Sequence, residues 1–445
     1  MKTNKTLAVR LFTLFFLFGK GIGTPAQTDP SNVNLSPIAS ERLFVAIGSE
    51  GADAQFTFVN YGRVAARSFH YTLTETGTLL EEKDMTLPQP IAPGESGKLT
   101  LRIRPGKKRG LSDLILTLLK VNGYDNRATF NFTTLERATV TKVPVKRVVM
   151  EDFTATWCPY CPRATAVLEN LAHQYPDTFI GIAVHASGDP MYCTAYGPSS
   201  TYGVSGLPTV LVGRRSKVAS FTGEDEYLNE MRKGTEVGME VSAVWDQEKK
   251  NISVSAQTTF CIVNPSASYA LAYVLVADGL KGQGGRWAQA NNYSGLNGYL
   301  GISSYLDFYI KSGTRVQGIA YNHVAIMGEG IERGIPGSVS MPTAEDETQT
   351  HRTTLRNIDG YTVIQDKSKL HVIVLLIDTR TKAIVNAAKC GITDTQATGI
   401  DEVSAQRRPV EVARYTASGQ RIAAPRKGVN IVKYSDGRVE KQAVE

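Results

Sequence analysis

From about residue 35 to residue 140 the chain repeats short runs in which apolar and polar positions often alternate. The clearest are Phe44–Ile47, Gln55–Val59, Phe69–Leu73, Lys98–Ile103 and Ala128–Phe132, separated by turn residues such as Asn60-Tyr61-Gly62 and Pro93-Gly94. A period of two, with frequent turns, predicts strands whose one face is buried and points to a β-sandwich of the immunoglobulin-like kind. Pro144 marks its end. Beyond it the period changes. Lys146–Thr154 is an apolar strand, and Pro162–Tyr175 carries Ala164, Val167, Leu168, Leu171 and Tyr175 at spacings of three and four, which predicts a helix. Strands follow at Phe179–His185, Thr209–Gly213 and Val218–Phe221, then a helix over Glu224–Lys233. This order fits a small α/β domain. Strands return at Met239–Trp245, Ile252–Ile262, Tyr269–Ala277 and Leu370–Ile377. The polar stretch 278–345 between them is too long for a structureless loop and must hold further elements.

The expected architecture is therefore multidomain α+β. An α/β unit over 143–235 is flanked by a β-sandwich over 27–142 and a β-rich domain over 236–395. Residues 396–405 read as a linker and 406–445 as a short basic β module.

Charge refines this picture only at the ends. The net charge is +7, but residues 1–26 carry four basic side chains and no acid, and residues 398–445 carry nine basic and six acidic side chains. The body between them is neutral, which excludes the electrostatic footprint of a nucleic-acid-binding protein. Residues 1–26 have the pattern of an export signal: Lys2, Lys5 and Arg10, the apolar run Leu11–Phe18, then small residues through Thr24-Pro25-Ala26. The run is far short of the ~20 residues of a membrane span. An exported chain matures where disulfides persist.

The chemistry concentrates at Trp157-Cys158-Pro159-Tyr160-Cys161-Pro162, where an apolar strand meets the start of a helix. Dithiol–disulfide exchange needs an attacking thiolate and a second thiol one turn away to release it. The free N–H groups and positive dipole end of the helix favour a thiolate at Cys158. The same geometry is expected to leave Cys158 exposed as nucleophile and Cys161 enclosed as the resolving thiol. Pro159 and Pro162 fit the first turn. Asp152, an acid within an apolar strand, is expected to have a raised pKa and to take the proton of Cys161. Pro208, at the opening of a strand, would present backbone to an extended substrate chain.

In this order, the acid in a strand, the aromatic-Cys-x-x-Cys and the Pro-Thr opening a later strand resemble the thioredoxin superfamily. The resemblance implies a cis Leu207–Pro208 bond and functional roles for Asp152, Trp157, Cys158, Cys161 and Pro208, with Trp157, Pro159, Tyr160 and Leu207 beside the substrate. The inner pair Pro159-Tyr160 is similar to that of glutaredoxins. Glu151–Ala155, Cys161-Pro162-Arg163-Ala164, Ile182–Ala186, Pro208-Thr209, Arg214 and Tyr321-Asn322-His323-Val324 resemble a Bacteroidota family named for a twenty-eight-kilodalton outer-membrane protein. Tyr415–Ile422, Lys427–Val432 and Ser435-Asp436-Gly437 resemble the C-terminal sorting module of type IX secretion cargo. These resemblances imply an outer-membrane, cell-surface or extracellular location and the type IX machinery as partner.

The sequence thus points to an exported thiol–disulfide oxidoreductase acting on protein thiols or disulfides, with no cofactor, metal or nucleic acid. The alternative is a surface binding or adhesion protein that uses the α/β unit as a scaffold. Cys261 and Cys390 are candidates for a structural disulfide. Cys193 reads as a buried thiol, and a zinc set of Cys158, Cys161, Cys193 and His185 is the weaker use of these residues, since a single Cys-x-x-Cys is not a zinc pattern.

Overall fold

The computed structural model describes residues 29–38, 41–341, 343–394, 411–416, 421–422, 424–434 and 439–444. The export-like segment 1–26 and the linker 396–405 lie outside the described residues. The chain divides into two compact units, residues 1–395 and 396–445.

The N-terminal part of the first unit contains a three-stranded sheet (Leu35–Ile38, Ala52–Asn60, Ser96–Ile103) and a five-stranded path (Leu43–Ala46, Phe132–Val140, Gly110–Val121, Ala66–Glu75, Thr78–Ile91). The alternation read in the sequence is visible in Ala52–Asn60. There Ala54, Phe56, Phe58 and Asn60 point inward, and Phe56 and Phe58 join Phe69, Tyr71, Leu114, Leu116 and Leu118 in one core. The strand expected at Ala128–Phe132 instead begins at Phe132. Phe130 and Phe132 themselves are exposed, so their apolar character misplaced it.

The rest of the unit is organised by one eight-stranded sheet. Its strands in chain order are β1 (Val148–Thr154), β2 (Phe179–His185), β3 (Thr209–Val212), β4 (Ser216–Lys217), β5 (Tyr269–Ala277), β6 (Val324–Glu329), β7 (Leu370–Asp378) and β8 (Ile384–Gly391). In space they run β4-β3-β1-β2-β6-β5-β7-β8. β1 and β2 are parallel, β1 and β3 antiparallel, and β2 joins β6 in parallel through Ala183 and Val324. The sheet therefore passes through residue 235 without a break, and the expected α/β and C-terminal β segments share it. Helices α1 (Pro162–Gln174) and α2 (Glu224–Arg232) cover one face of β1–β3, where Val148, Met150, Val167, Leu168, Leu171, Phe179, Val210 and Tyr227 meet. On β5–β8 a three-stranded sheet (Val237–Trp245, Ile252–Phe260, Glu347–Leu355) packs through Trp245, Phe260, Leu271, Tyr273, Val372 and Val374.

Two local expectations change. Val218–Phe221 is not a strand. The turn Val212–Arg215 has Gly213 and Arg214 both at positive φ, so the chain reverses at once and pairs through Ser216 and Lys217. The Glu226 carboxylate then takes the N–H groups of Ala219 and Ser220. Within 278–345 lie β6, helix α3 (Ser304–Lys311) and the short pair Gln289–Ala290 and Arg315–Val316. Ser303 caps α3, accepting from the Leu306 N–H.

The described part of the second unit is a four-stranded antiparallel sheet, in the order Arg421–Ile422, Glu411–Thr416, Gly428–Tyr434, Val439–Val444. No helix among the described residues is long and apolar enough to cross a membrane.

Candidate active site

Strand β1 is buried along its whole length because helices cover one face and a second apolar cluster covers the other. Its alternation sends Val148, Met150 and Asp152 toward α1, and Val149, Glu151 and Phe153 to the opposite face. Each face carries one acid, and the two acids have different fates.

Glu151 is paired. Arg214 reaches it from the β3–β4 turn with Nε at 2.7 Å and a terminal nitrogen at 2.6 Å, and the Tyr196 hydroxyl donates to it at 3.0 Å. Arg214 also donates to the carbonyl of Ile331 at 2.7 Å and stacks over Tyr202. This bidentate pair fixes an arginine whose own φ is +58°. Removing one partner strands a buried charge. Arg214→Met is accordingly expected to lose about 3–5 kcal/mol in a guanidinium melt, and a loss under ~1 kcal/mol would show that the pair is dispensable.

Asp152 is unpaired. It is fully buried, and neither carboxylate oxygen makes a hydrogen bond of full geometry. Burial pushes its pKa up to about 8, against smaller downward pulls from the Arg163 charge and the Thr154 hydroxyl. Its register neighbour on β2 is Ala183, a small residue, so a small cavity remains between β1, β2 and α1. Thr165 and Glu169 of α1, His185 of β2 and Tyr321-Asn322-His323 also line that cavity.

At the end of β1, Cys158 and Cys161 form a disulfide with Cα atoms 5.5 Å apart. Cys161 is the N-cap of α1 and Pro162 begins the helix, as expected. The expected exposure of Cys158 is not observed: it is only 3% exposed, against 0% for Cys161. Two features close over it. Leu207 packs on the pair beside Ala155 and Ala186, and the Leu207–Pro208 bond that follows is cis. On another side, residues 286–292 bind the carbonyls of the Cys loop. The Gln289 amide donates to Cys158 at 2.9 Å and to Ala155 at 3.3 Å. The N–H groups of Ala290 and Asn292 donate to Thr156 and Pro159 at 2.7 and 2.8 Å, and the Thr156 hydroxyl donates to Arg286 at 2.8 Å. Nothing in the polar sequence of this strap announces that role. What remains open beside the disulfide is aromatic: Trp157 and Tyr160 are 52% and 56% exposed.

The other cysteines lie elsewhere. Cys193 is buried on the face opposite Asp152, among Phe153, Val184 and Tyr196, whereas His185 faces the Asp152 cavity; the zinc set is not assembled. Cys261 and Cys390 are free, which corrects the candidate disulfide. Cys261 packs with Phe44, Ala138, Val140 and Ile262, while Cys390 packs against the core between β5–β8 and the three-stranded sheet.

Residues 133–233 match the thioredoxin family model. The chain carries a thioredoxin domain. The match starts ten residues before the expected boundary at 143. A thioredoxin of Griffithsia pacifica is 28% identical over 67 residues, 15% of this chain and 56% of that protein, so the chain spans about half the length of this curated relative. Among solved structures, HBP35 of Porphyromonas gingivalis is 15% identical, with a TM-score of 0.41 over 68% of this chain and 99% of that one. A protein of Agrobacterium tumefaciens is 16% identical, with a TM-score of 0.30 over 59% of this chain and 100% of that one. The thioredoxin domain thus contributes the disulfide, the buried acid and the cis proline, and residues outside 133–233 contribute the strap and part of the cavity wall.

Proposed function

We propose that the protein is an exported thiol–disulfide oxidoreductase acting on secreted or surface proteins. The observation that carries this reading is the Cys158–Cys161 disulfide at the head of α1, packed against Leu207 at a cis proline and bordered by exposed Trp157 and Tyr160. In the reduced state the Cys158 thiolate attacks a substrate disulfide. A mixed disulfide forms and one substrate sulfur leaves as thiolate. Cys161 loses its proton to the Asp152 carboxylate and attacks the Cys158 sulfur. This forms the Cys158–Cys161 disulfide and releases the second substrate sulfur. Two electrons pass from the protein dithiol to the substrate, and a dithiol donor returns them. Trp157, Pro159, Tyr160, Leu207 and Pro208 supply the surface and backbone for the substrate chain.

Export is supported by the residue pattern of 1–26. Membership of the Bacteroidota outer-membrane family, surface attachment or release, and delivery by type IX secretion are supported by the sequence resemblances, and for the last by the β module at 411–444. Insulin reduction with a dithiol donor tests the activity. Cys158→Ser is expected to abolish turnover, and a Cys158→Ser protein with full turnover would sink the mechanism.

The second reading, a surface binding protein with the thioredoxin domain as scaffold, draws on the near-complete burial of Cys158. Native alkylation after mild reduction separates the two. Labelling of Cys158 is expected for an exchange enzyme, and an inert pair for a scaffold.

A further inference from the structure

The Asp152 cavity does not end at the thioredoxin domain. Its far wall is Tyr321-Asn322-His323, the segment leading into β6. β1, β2 and β6 are adjacent; Asp152 pairs in register with Ala183, Ala183 pairs with Val324, and His323 is the residue just before β6, so Asp152 and His323 approach one cavity from opposite sides of β2. The Ala183 N–H donates to the His323 carbonyl at 2.7 Å, and the His323 N–H donates to Asp278 at 2.6 Å. These bonds hold His323 at a φ of +59°, a conformation histidine adopts uncommonly. Its ring is buried, and neither ring nitrogen has a hydrogen-bond partner. A buried carboxyl and a buried imidazole, neither in a hydrogen bond of full geometry, thus line one cavity.

The other titratable groups are placed differently. His185 Nδ1 lies 3.1 Å from the Asp189 carboxylate. Glu169 accepts from the Asn322 amide at 2.9 Å, and burial pushes its pKa up. Arg163 and Tyr309 act on Asp152 from α1 and α3 through their charge or potential charge. Beyond His323 the path leads outward. Its Nδ1 is 3.8 Å from Asp278, which also meets His371 Nε2 at 3.2 Å and Lys389 Nζ at 4.0 Å; the His371 side chain is partly exposed.

We propose that His323 is the proton-relay partner of Asp152, carrying protons between the buried carboxyl and the surface cluster of Asp278, His371 and Lys389. The inference rests on the exchange reading, in which Asp152 gains one proton each time Cys161 closes the disulfide and must lose it before the next cycle. A carboxyl oxygen gives the proton to a water in the shared cavity, and that water passes a proton to a ring nitrogen of His323, leaving a carboxylate and an imidazolium. The imidazolium then releases it outward and returns to the neutral ring. Burial lowers the His323 pKa to about 4, so the ring rests neutral and its protonated form is short-lived, while the nearby Asp278 carboxylate stabilises that transient cation. His323 touches no reacting sulfur and is a positioning and relay residue.

The test uses the full chain and a readout that does not need turnover. A light-triggered pH jump from about 6 to about 9.5 crosses the Asp152 midpoint, and the decay of its protonated-carboxyl infrared band, assigned by its loss in Asp152→Asn, gives the rate of proton release. His323→Asn, which suits a left-handed backbone, is expected to slow this decay at least about tenfold, with partial rescue by added imidazole. His323→Gln serves as the second variant should the first misfold. Decay at the wild-type rate in a folded variant would overturn the relay. Insulin reduction by the wild-type chain is scored separately: its absence would sink the exchange reading, while the infrared rate alone decides the relay.

Discussion

Asp152→Asn is expected to stabilise the oxidised protein by about 3–5 kcal/mol at pH 7 to 8 and to change it little near pH 4. The carboxyl has a pKa of about 8 in the folded chain and near 3.8 when unfolded. Between these values the folded state holds a proton that the unfolded state has released. The unfolded state binds fewer protons, so wild-type stability falls as pH rises, by about 1.4 kcal/mol per pH unit across that window. The amide has no proton to lose and removes this slope. Guanidinium melts of both proteins at several pH values between about 4 and 9 measure it. Parallel pH profiles would show that Asp152 is not held neutral by burial. The same substitution is expected to slow mixed-disulfide resolution, because Cys161 loses its acceptor. Stability would then rise as activity falls, the trade expected of a group kept for chemistry.

Gln289→Ala is expected to accelerate reduction of the Cys158–Cys161 disulfide by a water-soluble phosphine by about ten- to a hundredfold. The Gln289 amide satisfies the carbonyls of Cys158 and Ala155 inside the closed strap. Removing it leaves each carbonyl with one main-chain donor, the Cys158 N–H on Ala155 at 3.1 Å and the Cys161 N–H on Cys158 at 3.3 Å, so each loses one net hydrogen bond, about 0.5–1.5 kcal/mol, whereas water serves both once the strap has moved. The loss falls on the closed state alone, so the opening equilibrium shifts by about the same amount, and every 1.4 kcal/mol is tenfold. An unchanged rate would mean that reagents reach the disulfide from the Trp157 and Tyr160 side without strap movement. That outcome would make the aromatic side the entry for substrates as well.

The parts of this site that follow from local physics are legible in the sequence. The helix after Cys161 is set by Pro162 and the three-and-four spacing of Ala164, Val167, Leu168 and Leu171, and it appears where expected. The depth of Asp152 follows from an acid placed among the apolar residues Val148, Val149, Met150 and Phe153 of the strand. The burial of Cys158 does not follow, because it depends on residues 286–292, more than a hundred positions away and polar throughout most of their length. Gln289 carries no periodicity, and its partners are main-chain carbonyls that any sequence would present. The continuity of the sheet through β2 and β6 is hidden for a similar reason. Val324–Glu329 is short, follows a Gly- and Asn-rich stretch, and earns its place by pairing with β2 and β5, which lie far from it in sequence. His323 reads alone as a structural histidine. Only the pairing of strands distant in sequence brings it to the cavity that Asp152 lines. Cys261 and Cys390 show the converse error: export permits a disulfide, but the two side chains belong to different cores.

The reduction potential of the Cys158–Cys161 pair, measured by equilibration in glutathione buffers with mass-spectrometric trapping, tests the proposed exchange chemistry most directly. A reversible couple between about −270 and −120 mV is the predicted result, and its value would set the direction in which electrons flow. A pair that stays oxidised below about −300 mV, or that never reacts, would be structural and would contradict the account.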